Sequence, residues 1–138
     1  MEQNLVIGID VGGQTTKCGV VDARGTVLAQ TVIRSDSYTT VEPYIEELAA
    51  ALKKIITEGQ IRGIGVGAPN ANYYTGEVEN AVNLSWGRAG SIPFAKMLTE
   101  AMGGIPVTLT NDANAAAMGE MTYGAARGMK NFIMITLG

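Results

Sequence analysis

The chain has 138 residues, of which 46% are hydrophobic and 17% charged, a composition typical of one globular domain. Its net charge is -3 and no basic cluster occurs, which argues against a nucleic-acid partner. Histidine is absent, so imidazole catalysis is excluded and any chemistry must rest on carboxylates, amides and hydroxyls. The apolar runs are short and no charged-then-apolar leader occurs, so we expect a cytoplasmic protein with no membrane partner.

Three antiparallel strands are predicted first. Leu5–Ile9 is a continuous apolar run, as in a strand covered on both faces. A second strand ends at Val21, before a turn at residues 22–25, and Val27–Ile33 returns as the third. The single cysteine, Cys18, falls in the second strand, where we expect a buried and inert thiol.

Helices and further strands are predicted to alternate after this meander. Thr39 and Thr40 are both candidate N-caps, and Glu42 would complete a capping box from Thr39. Apolar residues at helical spacing follow as far as a stop at Gly59. Residues 70–90 are irregular and long for a loop, which favours a functional role. The remaining predicted elements are a strand at Ile61–Val66, a helix over 94–101 entered through Pro93, a strand at 106–110, an alanine-rich helix at 112–121 and a strand at 132–137. This order predicts an α/β fold, in which a mixed sheet begins as an antiparallel meander and continues through right-handed βαβ crossovers.

The stretch "IGIDVGGQTTKCGVV" is the first with candidate chemistry. Gly12 and Gly13 would let backbone N–H groups approach an anion, and the side chains of residues 14–16 add donors. Asp10 would repel a phosphate unless a cation lay between them, and hydrated Mg²⁺ suits that position. An ordinary hairpin turn with Asp10 as a turn former explains the same residues equally well.

Two other stretches contain candidate polar groups. In "TNDANAAAMGE", Asp112 lies between a strand end and a helix start, where it either caps the helix or accepts a proton from a substrate hydroxyl. In "GVGAPNANYYTGEVENAVNLSW", Gly67 and Ala68 would expose backbone at a strand end, and Asn83 offers a donor and an acceptor to a sugar. A solvated loop with Trp86 packed locally is the alternative for this last stretch.

Taken together, "GIDVGGQTTKCGVVD", "GAPN", "GEVENAVNLSW", "NDANAAAMGE" and "FIMITLG" resemble, in order and spacing, the N-terminal lobe of a ROK-family sugar kinase of the glucokinase type. The resemblance covers nearly the whole chain. It implies an actin-like, ribonuclease H-like lobe and transfer of the ATP γ-phosphoryl group to a hexose, with glucose giving glucose 6-phosphate.

The resemblance also implies roles for individual residues. Asp112 would be the catalytic base, and Asp10 would hold Mg²⁺ through water. Val82 stands where the family usually has proline, and Gln14 where it usually has threonine. The implied nucleotide contacts are Asp10, Gly12, Gly13, Gln14, Thr15 and Lys17, and the implied sugar contacts are Gly67, Ala68, Asn83, Asn111 and Asp112.

The family pattern continues beyond Gly138, so we expect residues 1–131 to form the N-terminal lobe and residues 132–138 the first strand of a second lobe. A zinc site is expected only in that second lobe. We therefore expect the chain alone to be inactive or nearly so, and the apolar segment Phe132–Leu137 to promote homo-oligomers.

Two alternatives to a glucose kinase stay open. One is a different member of the actin-like superfamily, such as an ATPase or an N-acetylhexosamine kinase. A ROK-type sugar-responsive repressor would carry a DNA-binding helix-turn-helix before the first strand, and only four residues precede Leu5.

Overall fold

A computed structural model describes residues 4–22, 26–56, 60–72, 74–88 and 90–110. In chain order, the elements are β1 Asn4–Val11, β2 Thr15–Val21, β3 Val27–Arg34, α1 Val41–Ile55, β4 Gln60–Gly67, β5 Ala71–Asn72, β6 Glu77–Glu79, β7 Ser91–Ile92, α2 Phe94–Ala101 and β8 Val107–Thr110. The helix predicted at 112–121, the strand predicted at 132–137 and the domain boundary after residue 131 lie outside the described residues.

The main sheet has the order β3-β2-β1-β4-β8. Strands β1, β2 and β3 pair antiparallel, whereas β4 pairs parallel with both β1 and β8. The predicted meander followed by crossovers through α1 and α2 is therefore confirmed. Parallel pairing brings the carboxyl ends of β1, β4 and β8 to one edge of the sheet, which is where ligands bind in open α/β sheets.

Both helices contribute to a core with one face of this sheet. Residues of β1 that alternate along the strand, including Ile7 and Ile9, are fully buried together with Tyr44 and Leu48 of α1 and Phe94 of α2. Burying each such side chain stabilises the fold by about 1.5–3 kcal/mol. This shared core holds β1 in a fixed position relative to α1 and α2.

The start of α1 agrees with one of the two predicted N-caps but not with the predicted capping box. The N-cap residue is Thr40, and its side chain makes no capping hydrogen bond. With Thr40 at the N-cap, Pro43 occupies the third helical position and has no N–H to donate. The capping box predicted from Thr39 and Glu42 is therefore wrong.

The segment predicted to be irregular contains a second, small sheet of order β5-β6-β7. Its strands have two or three residues, too few to show a period of two in the sequence. Asparagine side chains hold it together: Asn70 Nδ2 donates to the carbonyl oxygens of Glu79 and Asn80, at 3.0 and 3.1 Å. The longer connection of this small sheet, between β6 and β7, contains residues 81–87.

Candidate functional site

Asp10 lies near the carboxyl end of β1, in the centre of the main sheet. In the strand register it faces Lys17 of β2 on one side and Gly67 of β4 on the other. Burial raises the pKa of the Asp10 carboxyl above its usual value, and the positive charge of Lys17 partly offsets this rise. The structure thus brings two of the predicted nucleotide contacts next to one of the predicted sugar contacts.

Residues 12–14, here called the glycine turn, connect β1 to β2. Gly12 N donates to the carbonyl oxygen of Thr15 at 2.9 Å, and a Cβ on Gly12 would lie 2.9 Å from that same oxygen. Neither Gly12 nor Gly13 has a positive φ. Glycine is therefore needed in this turn for space rather than for a left-handed backbone.

Gly13 packs against residues 81–87, here called the asparagine loop. A Cβ on Gly13 would lie 2.8 Å from the carbonyl oxygen of Asn83, closer than real Cβ contacts come. The Asn83 side chain itself is exposed. The glycine turn and the asparagine loop, 70 residues apart in sequence, therefore lie in direct contact.

Hydrogen bonds within its own backbone give the asparagine loop a defined shape. Ala81 N donates to Gly87 O at 2.8 Å, Leu84 N to Ala81 O at 3.0 Å and Gly87 N to Leu84 O at 2.9 Å. Ala81 and Leu84 are also buried in the core. Asn83 is thus an exposed side chain on a loop whose backbone is held from both ends.

Thr16 does not have the role proposed for residues 14–16 as phosphate donors. It is fully buried, and its Oγ1 lies 2.7 Å from Ser35 Oγ and 2.6 Å from Tyr44 OH. Because side chains alternate along a strand, Thr15 and Lys17 lie on the opposite face of β2, the face shared with Asp10. Of the two threonines, Thr15 thus lies on the face of Asp10, and Thr16 belongs to the core.

Ser35 and Ser85 form a link that the sequence did not reveal. Ser35 N donates to Gln14 O at 2.8 Å. On the other side, Ser85 Oγ donates to Tyr38 O at 2.5 Å and to Ser35 O at 3.4 Å. Single serines at such distances in sequence have no motif, so only the folded chain shows this connection.

Aromatic rings pack beneath the asparagine loop. Trp86 stacks on Tyr44, with ring centroids 4.5 Å apart and planes inclined by 21°, and Phe94 lies 5.8 Å from Trp86. Such stacked arrangements add stability beyond the area they bury. Trp86 therefore packs into the main core and not locally within its own loop, as the alternative had it, while Asn83 in the same loop faces solvent.

The remaining residues predicted for the site differ in exposure, and Cys18 tests the separate prediction of a buried, inert thiol. Gln14 is exposed, whereas Gly67 and Ala68 are both buried, so the backbone exposure predicted for these two residues at the strand end is not seen. Cys18 is 1% exposed, and burial raises the pKa of its thiol to about 12, as an inert thiol requires. Asn111 and Asp112 lie outside the described residues.

The residues that the structure describes hold no cluster of three or more histidine, cysteine, aspartate or glutamate side chains that could bind a metal ion. The single half-buried carboxylate of Asp10 does fit Mg²⁺ held through water, because that ion keeps several waters and takes one or two protein carboxylates.

Among the residues that the structure describes, no helix is long and apolar enough to cross a membrane.

The sequence pattern of the ROK family matches residues 6–138. The chain belongs to the ROK family. The glucokinase of Streptomyces coelicolor is 36% identical over 135 residues, an alignment that covers 97% of this chain and 41% of that enzyme. The chain thus spans about two fifths of the length of the curated relatives that it matches.

Solved ROK structures share the fold of this chain. A ROK family glucokinase from Streptomyces griseus, solved with glucose and AMPPNP, matches with a TM-score of 0.68 and 31% identity, over 90% of this chain and 38% of that one. A ROK family transcriptional regulator homologous to the E. coli MLC protein matches with a TM-score of 0.67 and 17% identity, over 87% and 31%. The mixed α/β sheet is therefore the actin-like fold of ROK sugar kinases, as predicted.

Proposed function

We propose that this ROK chain contributes the phosphate-binding turn and part of the sugar-binding site of an ATP-dependent hexose kinase that converts glucose to glucose 6-phosphate. The observation that carries the proposal is the contact between Gly13 and the Asn83 carbonyl oxygen. Phosphoryl transfer requires the two substrates to meet, and this contact joins the candidate region for one to the candidate region for the other. The glucose and AMPPNP bound to the Streptomyces griseus relative support the same pair of ligands.

The described residues have the chemistry that phosphate binding needs. Backbone N–H groups of the glycine turn and the Thr15 hydroxyl would donate to phosphate oxygens, and Lys17 would add positive charge. Asp10 would hold Mg²⁺ through water, and that ion would supply neutralisation of phosphate charge when bound. Phosphoryl transfer asks a protein mainly for positioning and charge stabilisation, which is what this set of groups offers.

The proton of the attacking sugar hydroxyl needs an acceptor, and we assign that role to Asp112. We expect Asp112→Asn to lower turnover by about 10²–10⁴-fold, the usual contribution of a general base, with little change in sugar affinity. The variant is made in the protein as its own cell expresses it. Steady-state kinetics with a coupled glucose 6-phosphate assay measures both. Glu46→Gln, an exposed acid on α1, is the matched control. Undiminished turnover in Asp112→Asn would remove this residue from the role.

The 138-residue chain by itself is expected to transfer phosphate slowly. The Streptomyces coelicolor glucokinase extends well beyond the 41% of its length that the chain matches, and closure around both substrates needs more than one lobe. The same assay on the purified chain tests this. A rate close to that of the Streptomyces enzyme would contradict the expectation.

The identity of the hexose is tested with a panel of glucose, N-acetylmannosamine and N-acetylglucosamine. We expect glucose to have the highest kcat/KM of the three. A preference for an N-acetylated sugar would instead assign the chain to the N-acetylhexosamine kinases. Sugar binding without phosphorylation of any of the three would favour a repressor, whose ROK relatives share this fold.

A further inference from the structure

We propose that Ser85 is a positioning residue that couples sugar binding at the asparagine loop to nucleotide binding at the glycine turn. The inference rests on the proposed function and goes beyond it, because Ser85 contacts neither substrate in that scheme. It acts through the backbone of residues 35–38, which lies between the two regions.

The first step of the argument is that one segment is bonded to both regions. Ser35 N holds the carbonyl oxygen of Gln14 in the glycine turn, at 2.8 Å. Ser85 Oγ, in the asparagine loop, donates to Tyr38 O at 2.5 Å and to Ser35 O at 3.4 Å. A displacement at either end therefore strains a hydrogen bond on the same short segment.

The second step is that this segment is itself immobilised. Ser35 is fully buried, and its hydroxyl lies 2.7 Å from Thr16 Oγ1, which in turn lies 2.6 Å from Tyr44 OH on α1. Buried hydroxyls of this kind are costly to leave unpaired, so the cluster resists rearrangement. The segment therefore fixes the spacing between the glycine turn and the asparagine loop, so that a change in the position of one region alters its hydrogen bonding to the other.

The third step concerns what else holds the asparagine loop. Trp86 stacks on Tyr44, but within the described residues its Nε1 has no hydrogen-bond partner. Stacked rings slide at little cost, whereas a hydrogen bond fixes distance and direction. Ser85, two residues from Asn83, therefore supplies a directional side-chain hydrogen bond from the loop to the 35–38 segment.

The test uses the protein as its own cell expresses it, here the parent, and its variants Ser85→Ala, Ser85→Thr and Ser85→Cys. Ser85→Ala is expected to raise the KM for glucose by about three- to tenfold, the worth of one neutral hydrogen bond, with kcat within about twofold of the parent. The factor by which an ATP analogue changes the glucose dissociation constant is expected to fall towards one, because that factor measures the coupling between the sites. Ser85→Thr, which keeps the hydroxyl, should restore both values.

Ser37→Ala is the matched control, since Ser37 is exposed on the same 35–38 segment. If Ser85→Ala does not fold, Ser85→Cys keeps the volume with a weaker donor and should show the same changes at smaller size. Parent-like KM and coupling in the Ala and Cys variants would overturn the inference while leaving the kinase proposal standing. Absence of hexose binding in the unmodified protein would overturn both.

Discussion

Consecutive residues of β2 have different roles because alternate side chains lie on opposite faces of the strand. Thr16 faces the core and bonds to Ser35 and Tyr44, whereas Thr15 and Lys17 share the face of Asp10. A run of hydroxyl side chains after a glycine pair therefore includes a structural residue as well as a candidate ligand donor. The sequence pattern alone assigned the same donor role to both threonines.

Thr16→Val tests the structural role of Thr16 through the free energy of unfolding. The change keeps the shape of the side chain but removes the hydroxyl that pairs with Ser35 and Tyr44, so we expect the free energy of unfolding to fall by about 1–3 kcal/mol. Urea denaturation of the purified chain measures it. Thr15→Val, which alters a half-buried residue, should change stability by less, and equal losses would show that the buried cluster has no special weight.

Asp10→Asn is expected to stabilise the chain at neutral pH when neither magnesium nor nucleotide is present. Burial raises the pKa of Asp10 in the folded state, so the folded state binds the proton more tightly than the unfolded chain does. Native stability therefore falls as pH rises through the interval between the two pKa values, and the asparagine variant avoids this fall. Unfolding midpoints of the two proteins should converge below about pH 3.9. A variant that is less stable than the native chain at pH 7 would contradict the prediction.

At the scale of elements, the glycine turn and the asparagine loop pack closely because Gly13 has no side chain at their contact. Gly12 and Gly13 are equally crowded, but by different atoms: Gly12 by Thr15 within the turn, and Gly13 by Asn83 across the interface. The two glycines thus offer a matched pair of positions. A methyl group at one strains the turn, and at the other it strains the contact between the elements.

Gly13→Ala is expected to lower the free energy of unfolding by about 1–3 kcal/mol, as overpacking usually does, and to shift the fluorescence of Trp86 in the displaced loop. Gly12→Ala should have a similar cost in stability with unchanged Trp86 emission. Chemical denaturation and emission spectra measure the two effects. The same spectral shift in both variants would show that the turn moves as a unit and that the contact with Asn83 is not selective.

At the scale of the whole molecule, periodicity and turn residues were sufficient to predict the strands of the main sheet, both described helices and the mixed topology. The small sheet was not predicted because its strands are too short to show a periodic pattern. The hydrogen bonds of Ser85 were not predicted because one of their partners, Ser35, lies 50 residues away in sequence. The capping box failed because spacing alone did not locate the N-cap relative to Pro43. Local patterns therefore predicted elements, whereas the contacts that join the candidate site depend on tertiary structure.

Self-association is a further prediction at this scale. Residues 132–137, which lie outside the described residues, form an uncharged apolar segment of high β propensity, the kind that pairs between chains. We expect the chain to associate at high concentration and Ile133→Lys to abolish this, as measured by light scattering. Val32→Lys, on the exposed side of edge strand β3, is the control. Loss of association in that variant instead would place the interface at β3.

The burial of Cys18 has a practical consequence for experiments on this chain. Its thiol is the sole cysteine side chain and is 1% exposed. This burial raises the pKa of the thiol to about 12, so hardly any reactive thiolate forms at neutral pH. Maleimide dyes or spin labels would then attach only to a cysteine introduced on the surface. Spin labels on Gln14→Cys and Tyr74→Cys, both at exposed positions, would report the distance between these two sites. Cys18 would not have to be replaced first.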